Sequence, residues 1–236
     1  MNDLARKRFT GLSLICVVFS FCLYVVPSQA ANTLVVPEEE LYTVEIAMFS
    51  SGELGEWEEK SFKGKTRYRL QNDELKGSVL HAQSNGAASA LGKRVRIDLT
   101  KTPYLHWAWK IDNQLDGIDE AARSGDDFAA RIYVVKTAGI LGRKSRAMNY
   151  VWSSNRRQGS NWSNPFSPKN SKMIAVRGVE HTPGQWFTER RNIAEDFLRF
   201  YGTKVKLVDL LVIMSDTDNT GLSASASYGD IFFSSQ

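Results

Sequence analysis

Cysteine is nearly absent from this chain, and histidine and proline are scarce. The 236 residues include 2 cysteines, 3 histidines and 6 prolines, and both cysteines, Cys16 and Cys22, lie among the first thirty residues. From Ala31 onward the sequence has no thiol, which excludes disulfides and thiolate metal ligands from that portion. Its fold must therefore be stabilised by the burial of apolar side chains.

The signatures of common enzyme classes are also absent. His81, His106 and His181 are far apart and lack metal-ligand spacing. The sequence contains no G-x-S-x-G, no H-E-x-x-H and no phosphate-binding loop. No motif indicates a particular reaction. The sequence therefore favours a protein without catalytic activity.

Neither sign of charge dominates. The chain has 30 basic and 26 acidic residues and a formal net charge of +4 at pH 7, and three of the basic residues are residues 6–8. Outside residues 6–8, the sequence has no concentrated basic stretch of the kind that nucleic-acid-binding proteins carry. We expect no nucleic-acid partner.

An export signal opens the chain. Basic residues 6–8 precede an uncharged, largely apolar run of 18 residues, Phe9–Val26, and Pro27–Ala30 ends it with small residues. This pattern predicts a signal peptide (1–30) cleaved after Ala30 and an exported mature protein, periplasmic or extracellular, with a single domain over 31–236. Because the run has the minimum length of a membrane span, the alternative is an uncleaved anchor, which would be the only membrane contact.

Short alternating segments separated by Gly, Asn, Asp and Ser clusters fill the rest of the chain. In Arg94–Leu99, Val95, Ile97 and Leu99 point to one face. Eleven such segments predict an all-β fold, an antiparallel two-sheet β-sandwich. The predicted strands are Tyr42–Phe49, Thr66–Gln71, Ser78–Ser84, Arg94–Leu99, Tyr104–Ile111, Phe128–Val135, Met148–Ser153, Met173–Arg177, Trp186–Arg191, Val205–Ser215 and Ser225–Phe233.

One short helix interrupts the strand pattern. Asn192 is a plausible N-cap with Glu195 three residues later, as in a capping box. Phe197 and Phe200 fall on one helical face, and Gly202 is suited to end the helix in the left-handed conformation. We expect this helix to cover an edge or an open end of the sandwich.

The segment Asp216–Gly221 resembles the start of a calcium-binding loop, with oxygen ligands at positions 1, 3 and 5 and glycine at position 6. The closing glutamate is replaced by a serine, which excludes an EF-hand. The remaining metal hypothesis is a calcium site that includes Asp216, Asp218 and Asp230. We favour the simpler interpretation, in which these residues form a tight hairpin turn, and expect no cofactor.

Arg131 lies in the middle of the predicted strand Phe128–Val135, between apolar neighbours. A buried charge is costly without a partner. We therefore expect a structural ion pair with Asp126, Asp127 or Asp196. Contact with the carboxylate of a ligand is the alternative.

The tryptophans divide into two groups. Trp107 and Trp109 share a strand face with a leucine and an isoleucine, which places them in the core. Trp152 ends a strand and Trp162 lies in a polar loop. We expect these two to be exposed and to contact a ligand.

Two long polar segments, Asp112–Asp127 and Arg156–Asn170, are predicted as loops at the rim of the sandwich, where such loops are functional or mobile. Polar and aromatic residues of the nearby strands are expected to line a groove there, although a solvated strand end is equally consistent with the sequence. The predicted ligand-binding set is Arg131, Tyr133, Asn149, Trp152, Trp162, Arg190 and Asn192.

Several sequence blocks resemble an uncharacterised bacterial exported family, domain of unknown function 3047. The blocks are GDDFAARIYVV, MNYVWSS, ERRNIAEDF and VIMSDTDNTG…ASYGDIFF, in this order, and the resemblance runs from about Trp57 to Phe233. It implies one intact domain and a bacterial cell-envelope setting. The resemblance assigns no catalytic or binding role to any residue of this chain.

The last fifty residues also resemble carbohydrate-binding and galactose-binding-like jelly rolls. A Trp-led strand at Gln185–Glu189 leads to a short helix, a long apolar strand and a final strand containing Gly229–Phe233. This resemblance implies a jelly-roll sandwich and a non-catalytic module that binds a glycan or another envelope component. A polysaccharide lyase or hydrolase using the same groove, and a structural or partner-binding envelope protein with an apolar patch, are the alternatives.

Overall fold

A computed structural model describes residues 41–139 and 144–236, which form two β-sheets and one α-helix. The predicted signal peptide, residues 1–30, lies outside the described residues. Within the described ranges, no helix is long and apolar enough to cross a membrane. The elements are β1 (Thr43–Ala47), β2 (Glu58–Lys63), β3 (Arg67–Asp73), β4 (Gly77–Asn85), β5 (Ala88–Asp98), β6 (Tyr104–Ile111), β7 (Phe128–Lys136), β8 (Arg146–Trp152), β9 (Asn161–Ser163), β10 (Ser171–Arg177), β11 (Phe187–Asn192), α1 (Ile193–Tyr201), β12 (Leu207–Asp216) and β13 (Ser223–Ser234).

The two sheets pack as a β-sandwich, which confirms the predicted fold class. The first sheet has the order β11-β6-β13-β4-β3, with β1 also paired to β13, and the second sheet has the order β2-β5-β12-β7-β8-β10-β9. Consecutive strands alternate between the sheets from β4 to β7 and again from β11 to β13. This winding is that of a jelly roll, so the strand pairings themselves confirm the predicted type.

Alternation along each strand decides which side chains fill the space between the sheets. In β6, Leu105, Trp107 and Trp109 are buried almost completely. The two indole rings are arranged edge to face, with their centres 5.3 Å apart. Offset aromatic contacts of this kind add to the free energy gained by burial. The prediction that Trp107 and Trp109 lie in the core is confirmed.

One pair of neighbouring strands is parallel, which the prediction of a wholly antiparallel sandwich did not include. β10 runs parallel to β8, with Met173 opposite Asn149. Residues 153–170, which join these strands, are numerous enough to return the chain to the same end of the sheet, as parallel pairing requires. The predicted loop Arg156–Asn170 contains the edge strand β9, which pairs with β10.

The acidic segment after β12 crosses from one sheet to the other. β12 ends at Asp216 in the second sheet, and β13 begins at Ser223 in the first. The hairpin prediction is therefore wrong, because a hairpin joins adjacent strands of one sheet. The carboxylate of Asp127 holds the crossing by accepting hydrogen bonds from the backbone N–H groups of Asn219, at 3.2 Å, and Thr220, at 2.8 Å.

Helix α1 has the predicted caps. The Asn192 side chain accepts a hydrogen bond from the Glu195 N–H at 3.1 Å, and Gly202 adopts the left-handed conformation with φ of 62°. Both caps satisfy backbone groups that the helix leaves unpaired. Phe197 is fully buried and anchors the helix to the sandwich.

Candidate functional site

A cavity of about 530 Å³ lies on the outer face of the second sheet. Outward-facing side chains of β7, β8 and β12 form its floor, and β2 and the segment after β9 contribute walls. On β7 the alternation sends Ile132 into the core and brings Arg131 and Tyr133 to the cavity, where Asn149 of β8 joins them. The structure thus brings together three residues of the predicted ligand-binding set, in a volume ordinary for a small-molecule site.

Arg131 is paired with Asp216, which is none of the predicted partners. Its Nη2 donates to Asp216 Oδ2 at 2.6 Å, and the two side chains are only 7% and 2% exposed. β7 and β12 are neighbours, with Arg131 directly opposite Met214. Asp196 instead lies in α1 and pairs with Arg191. The structural ion pair is confirmed, and its partner is corrected.

Asp126 reaches the cavity from the segment that precedes β7. The preceding Gly125 is required there, because a Cβ atom at this position would lie 2.5 Å from the Asp119 carbonyl oxygen. Asp126 is 4% exposed, and its Oδ2 accepts a hydrogen bond from Asn164 Nδ2 at 2.9 Å. Its Oδ1 has no hydrogen-bond partner among the described residues, and the same is true of Asp216 Oδ1.

Carboxylate oxygens of Asp127, Asp216 and Asp218 lie within 4.8 Å of one another. Both oxygens of Asp127 already accept hydrogen bonds from the crossing segment, and Asp216 is paired with Arg131. Calcium requires six to eight oxygen ligands, and here a guanidinium already supplies the positive charge. The donor set therefore fits a divalent cation poorly.

The predicted metal ligand Asp230 is not part of this group. It lies in β13 of the first sheet, where its carboxylate accepts hydrogen bonds from the backbone N–H of Ser50 at 2.8 Å and from the Ser50 hydroxyl at 2.6 Å. The structure therefore does not assemble the predicted trio of Asp216, Asp218 and Asp230.

Two carboxyl groups of the cavity have raised pKa values. Burial raises the pKa of Asp216 to about 8, and the carboxylates of Asp126 and Asp127 act in the same direction, against Arg131. Burial also raises the pKa of Asp126. The pKa of the Tyr133 hydroxyl rises to about 12, again through burial, so this group stays protonated at neutral pH and is available as a hydrogen-bond donor.

Tyr133 and Asn149 lie directly opposite each other on β7 and β8. The Asn149 amide donates to the Ser171 hydroxyl at 2.8 Å and to the Lys172 carbonyl at 3.2 Å. These bonds fix the side chain against β10 and leave the amide oxygen as the acceptor that Asn149 offers to the cavity.

Two exposed phenylalanines form the rim of the cavity, and sequence analysis missed both. Phe62 of β2 is 55% exposed and Phe166 is 52% exposed. The Arg123 guanidinium lies 5.2 Å from the Phe166 ring centre. The signal in the sequence was a phenylalanine inside each of two otherwise polar stretches, EEKSFK and NPFSP.

Trp152 and Trp162 do not line the cavity. Trp152 is fully buried between the sheets, with ring contacts to Trp109 and Phe187, so the prediction that it is exposed is wrong. Alternation along β8 puts Trp152 on the inner face with Tyr150, opposite the outward-facing Asn149. Trp162 packs on Phe128 and donates its indole N–H to the Glu120 carbonyl at 3.2 Å, so it is half-buried.

Arg190 and Asn192 lie on the other sheet. Arg190 of β11 stacks on the ring of Tyr104, 3.7 Å from its centre, and Asn192 caps α1. Because β11 belongs to the first sheet and the cavity lies on the outer face of the second, these two residues are not part of the cavity.

The chain belongs to the family described as "Protein of unknown function (DUF3047)", whose model matches residues 55–232. Among curated proteins, none matches the chain.

Solved structures of low sequence identity are similar to it. The family 11 carbohydrate-binding module of a cellulosomal cellulase from Clostridium thermocellum is 11% identical with a TM-score of 0.46, covering 80% of this chain and 94% of that one. The family 30 module of another cellulosomal cellulase from Clostridium thermocellum is 13% identical with a TM-score of 0.46, covering 83% and 98%.

Proposed function

We propose that this protein is an exported, non-catalytic cell-envelope module that binds a glycan in the cavity on the outer face of its second sheet. The observation that carries the proposal is the combination of a buried polar floor with two exposed aromatic rings at the rim. Sugars present hydroxyl groups along their edges and apolar C–H faces, and these match the two kinds of surface.

The floor of the cavity supplies both a hydrogen-bond donor and a hydrogen-bond acceptor for a sugar hydroxyl group. Arg131 and the Tyr133 hydroxyl are donors, and the carboxylates of Asp126 and Asp216 and the Asn149 amide oxygen are acceptors. The rings of Phe62 and Phe166 offer apolar faces on which a pyranose packs. A cavity of about 530 Å³ accommodates a short oligosaccharide segment.

Binding to immobilised and soluble polysaccharides, followed by affinity electrophoresis and a glycan array, tests the proposal. We expect Phe62→Ala and Phe166→Ala each to weaken binding about tenfold, the usual effect of removing an aromatic anchor. Leu75→Ala is the matched control, because Leu75 is 81% exposed and lies outside the cavity. If no envelope or environmental glycan binds, or if Leu75→Ala weakens binding equally, the proposal fails.

A polysaccharide lyase or hydrolase is the second candidate, because Asp126 and Asp216 place two carboxyl groups of raised pKa in one cavity. The same purified protein is incubated with each polysaccharide, and reducing ends and the absorbance of unsaturated products are followed. We expect neither to increase. An increase that Asp216→Asn abolishes would replace the binding function with catalysis.

A further inference from the structure

We infer that the sugar bound in the cavity carries a free ammonium group, so that the ligand class is an amino sugar and not a neutral, acetylated or acidic one. This inference rests on the proposed glycan-binding function and specifies its ligand.

Acidic side chains outnumber basic ones on the cavity wall. Three carboxylates, those of Asp126, Asp216 and Asp218, line the cavity with one cationic side chain, Arg131. Arg131 is already paired with Asp216. Among the described residues, neither Asp126 nor Asp218 takes part in a salt bridge, so two carboxylates have no cationic partner.

Two buried carboxyl groups also have oxygens that accept no hydrogen bond from the described residues, and the unpaired Arg131 Nε does not satisfy them. Asp126 and Asp216 are 4% and 2% exposed, and each has an oxygen without a partner in the described part of the chain. Buried acceptors without partners are costly, and an ionised donor satisfies them better than a neutral one. An ammonium group supplies three donors and a positive charge. The half-buried Asp218 is the carboxylate such a group reaches first.

The nearby lysines donate hydrogen bonds to uncharged oxygens and not to these carboxylates. Lys63 donates to the Asp218 carbonyl oxygen at 2.7 Å, and Lys172 donates to the Ser163 hydroxyl at 2.7 Å. Lys63 is exposed and Lys172 is half-buried, and neither lines the cavity.

Isothermal titration of the full protein with three oligosaccharides of equal length tests the inference. The probes are glucosamine oligomers, N-acetylglucosamine oligomers and galacturonate oligomers, all at one salt concentration. We expect the glucosamine oligomers to bind at least about tenfold more tightly than the acetylated ones, as a charge-assisted hydrogen bond implies, and the uronates to bind most weakly.

Asp126→Asn and Asp218→Asn should each reduce this preference to about threefold or less, because each removes a carboxylate that the ammonium group would contact. Asparagine conserves the shape of the side chain, and a thermal melt of each variant verifies that it is folded. The matched control is Asp116→Asn, because Asp116 is exposed and lies outside the cavity.

The possible failures are distinguishable. Equal binding of amino and acetylated oligomers, or strongest binding of uronates, overturns the ammonium inference and leaves the glycan-binding function standing. A preference that survives in both Asp126→Asn and Asp218→Asn also overturns it, because the ammonium group is then held elsewhere. If no glycan of any class binds, the proposed function falls, and the inference falls with it.

Discussion

The guanidinium of Arg131 lies 2.6 Å from the carboxylate of Asp216, although 85 positions separate the two residues in the chain. Both side chains are buried beneath the cavity, where Arg131 also lies over the ring of Phe128. This pair links β7 to the end of β12, the point at which the chain leaves the second sheet. It therefore joins the stability of the sandwich to the geometry of the candidate binding site.

Removal of one member of the pair should destabilise the protein strongly. Arg131→Met or Asp216→Leu alone leaves a buried charge uncompensated, which costs about 3–5 kcal/mol. Arg131→Met combined with Asp216→Leu removes both charges, so the double variant should lose less than the sum of the single losses. Urea unfolding of the four proteins measures the coupling, and additive losses would show that the pair does not act as a unit.

Stability should fall as the pH rises from 4.5 to 7, in part because of Glu120. This side chain is buried, accepts hydrogen bonds from the Ser153 hydroxyl and the Ser154 N–H, and has a pKa raised by burial from 4.5 to about 7. Between these values the folded state binds more protons than the unfolded state. The free energy of unfolding therefore decreases with pH, by up to about 1.4 kcal/mol per unit for one proton.

Glu120→Gln mimics the protonated side chain and should flatten this dependence. The exposed Glu56→Gln should keep the wild-type slope. Chemical denaturation at several pH values between 4.5 and 7 gives both slopes. A Glu120→Gln slope equal to that of wild type would contradict the assignment.

The contribution of the α1 N-cap to the stability of the protein should be measurable with single substitutions at Asn192. Asn192→Ala removes the acceptor for the Glu195 N–H and should lower the free energy of unfolding by about 1 kcal/mol. Asn192→Ser retains an acceptor at the same place and should lose much less. Equal losses in thermal unfolding of the two variants would show that the side chain contributes by packing and not as a cap.

Calcium should leave the melting temperature unchanged. Asp127 already accepts hydrogen bonds through both oxygens, and Asp216 offers only Oδ1 because its Oδ2 is bound to Arg131. The cluster therefore provides fewer oxygen ligands than the six to eight that calcium requires. Differential scanning fluorimetry with added calcium and with chelator measures this directly. A saturable rise in melting temperature that Asp218→Asn abolishes would establish a metal site here.

Local patterns in the sequence predicted much of the fold. Each of the eleven predicted strands overlaps an observed one, because alternation reports directly on which side chains face the core. The caps of α1 were predictable for a similar reason, since Asn192 and Gly202 act on backbone groups within a few residues. The two missed strands, β2 and β9, lie at the edges of the second sheet, where exposed polar residues give no such pattern.

The alternation of side chains along β7 also predicted part of the candidate site. Arg131 and Tyr133 had to share a face of β7, and the structure shows that this face is the outer one, next to Asn149. Alternation along β8 also puts Trp152 on the face of Tyr150, opposite Asn149, so the prediction that both Asn149 and Trp152 contact one ligand was inconsistent with the strand pattern.

The sequence by itself determined the alternation of buried and exposed side chains, and with it a sandwich of two sheets. Only the tertiary structure decided that Asp216 pairs with Arg131, that Asp230 lies apart, and that Phe62 and Phe166 meet at one rim. The physical reason is the range of the interactions. Alternation and caps act within a few residues, whereas the cavity depends on which distant strands become neighbours, and that choice is made by the packing of the whole sandwich.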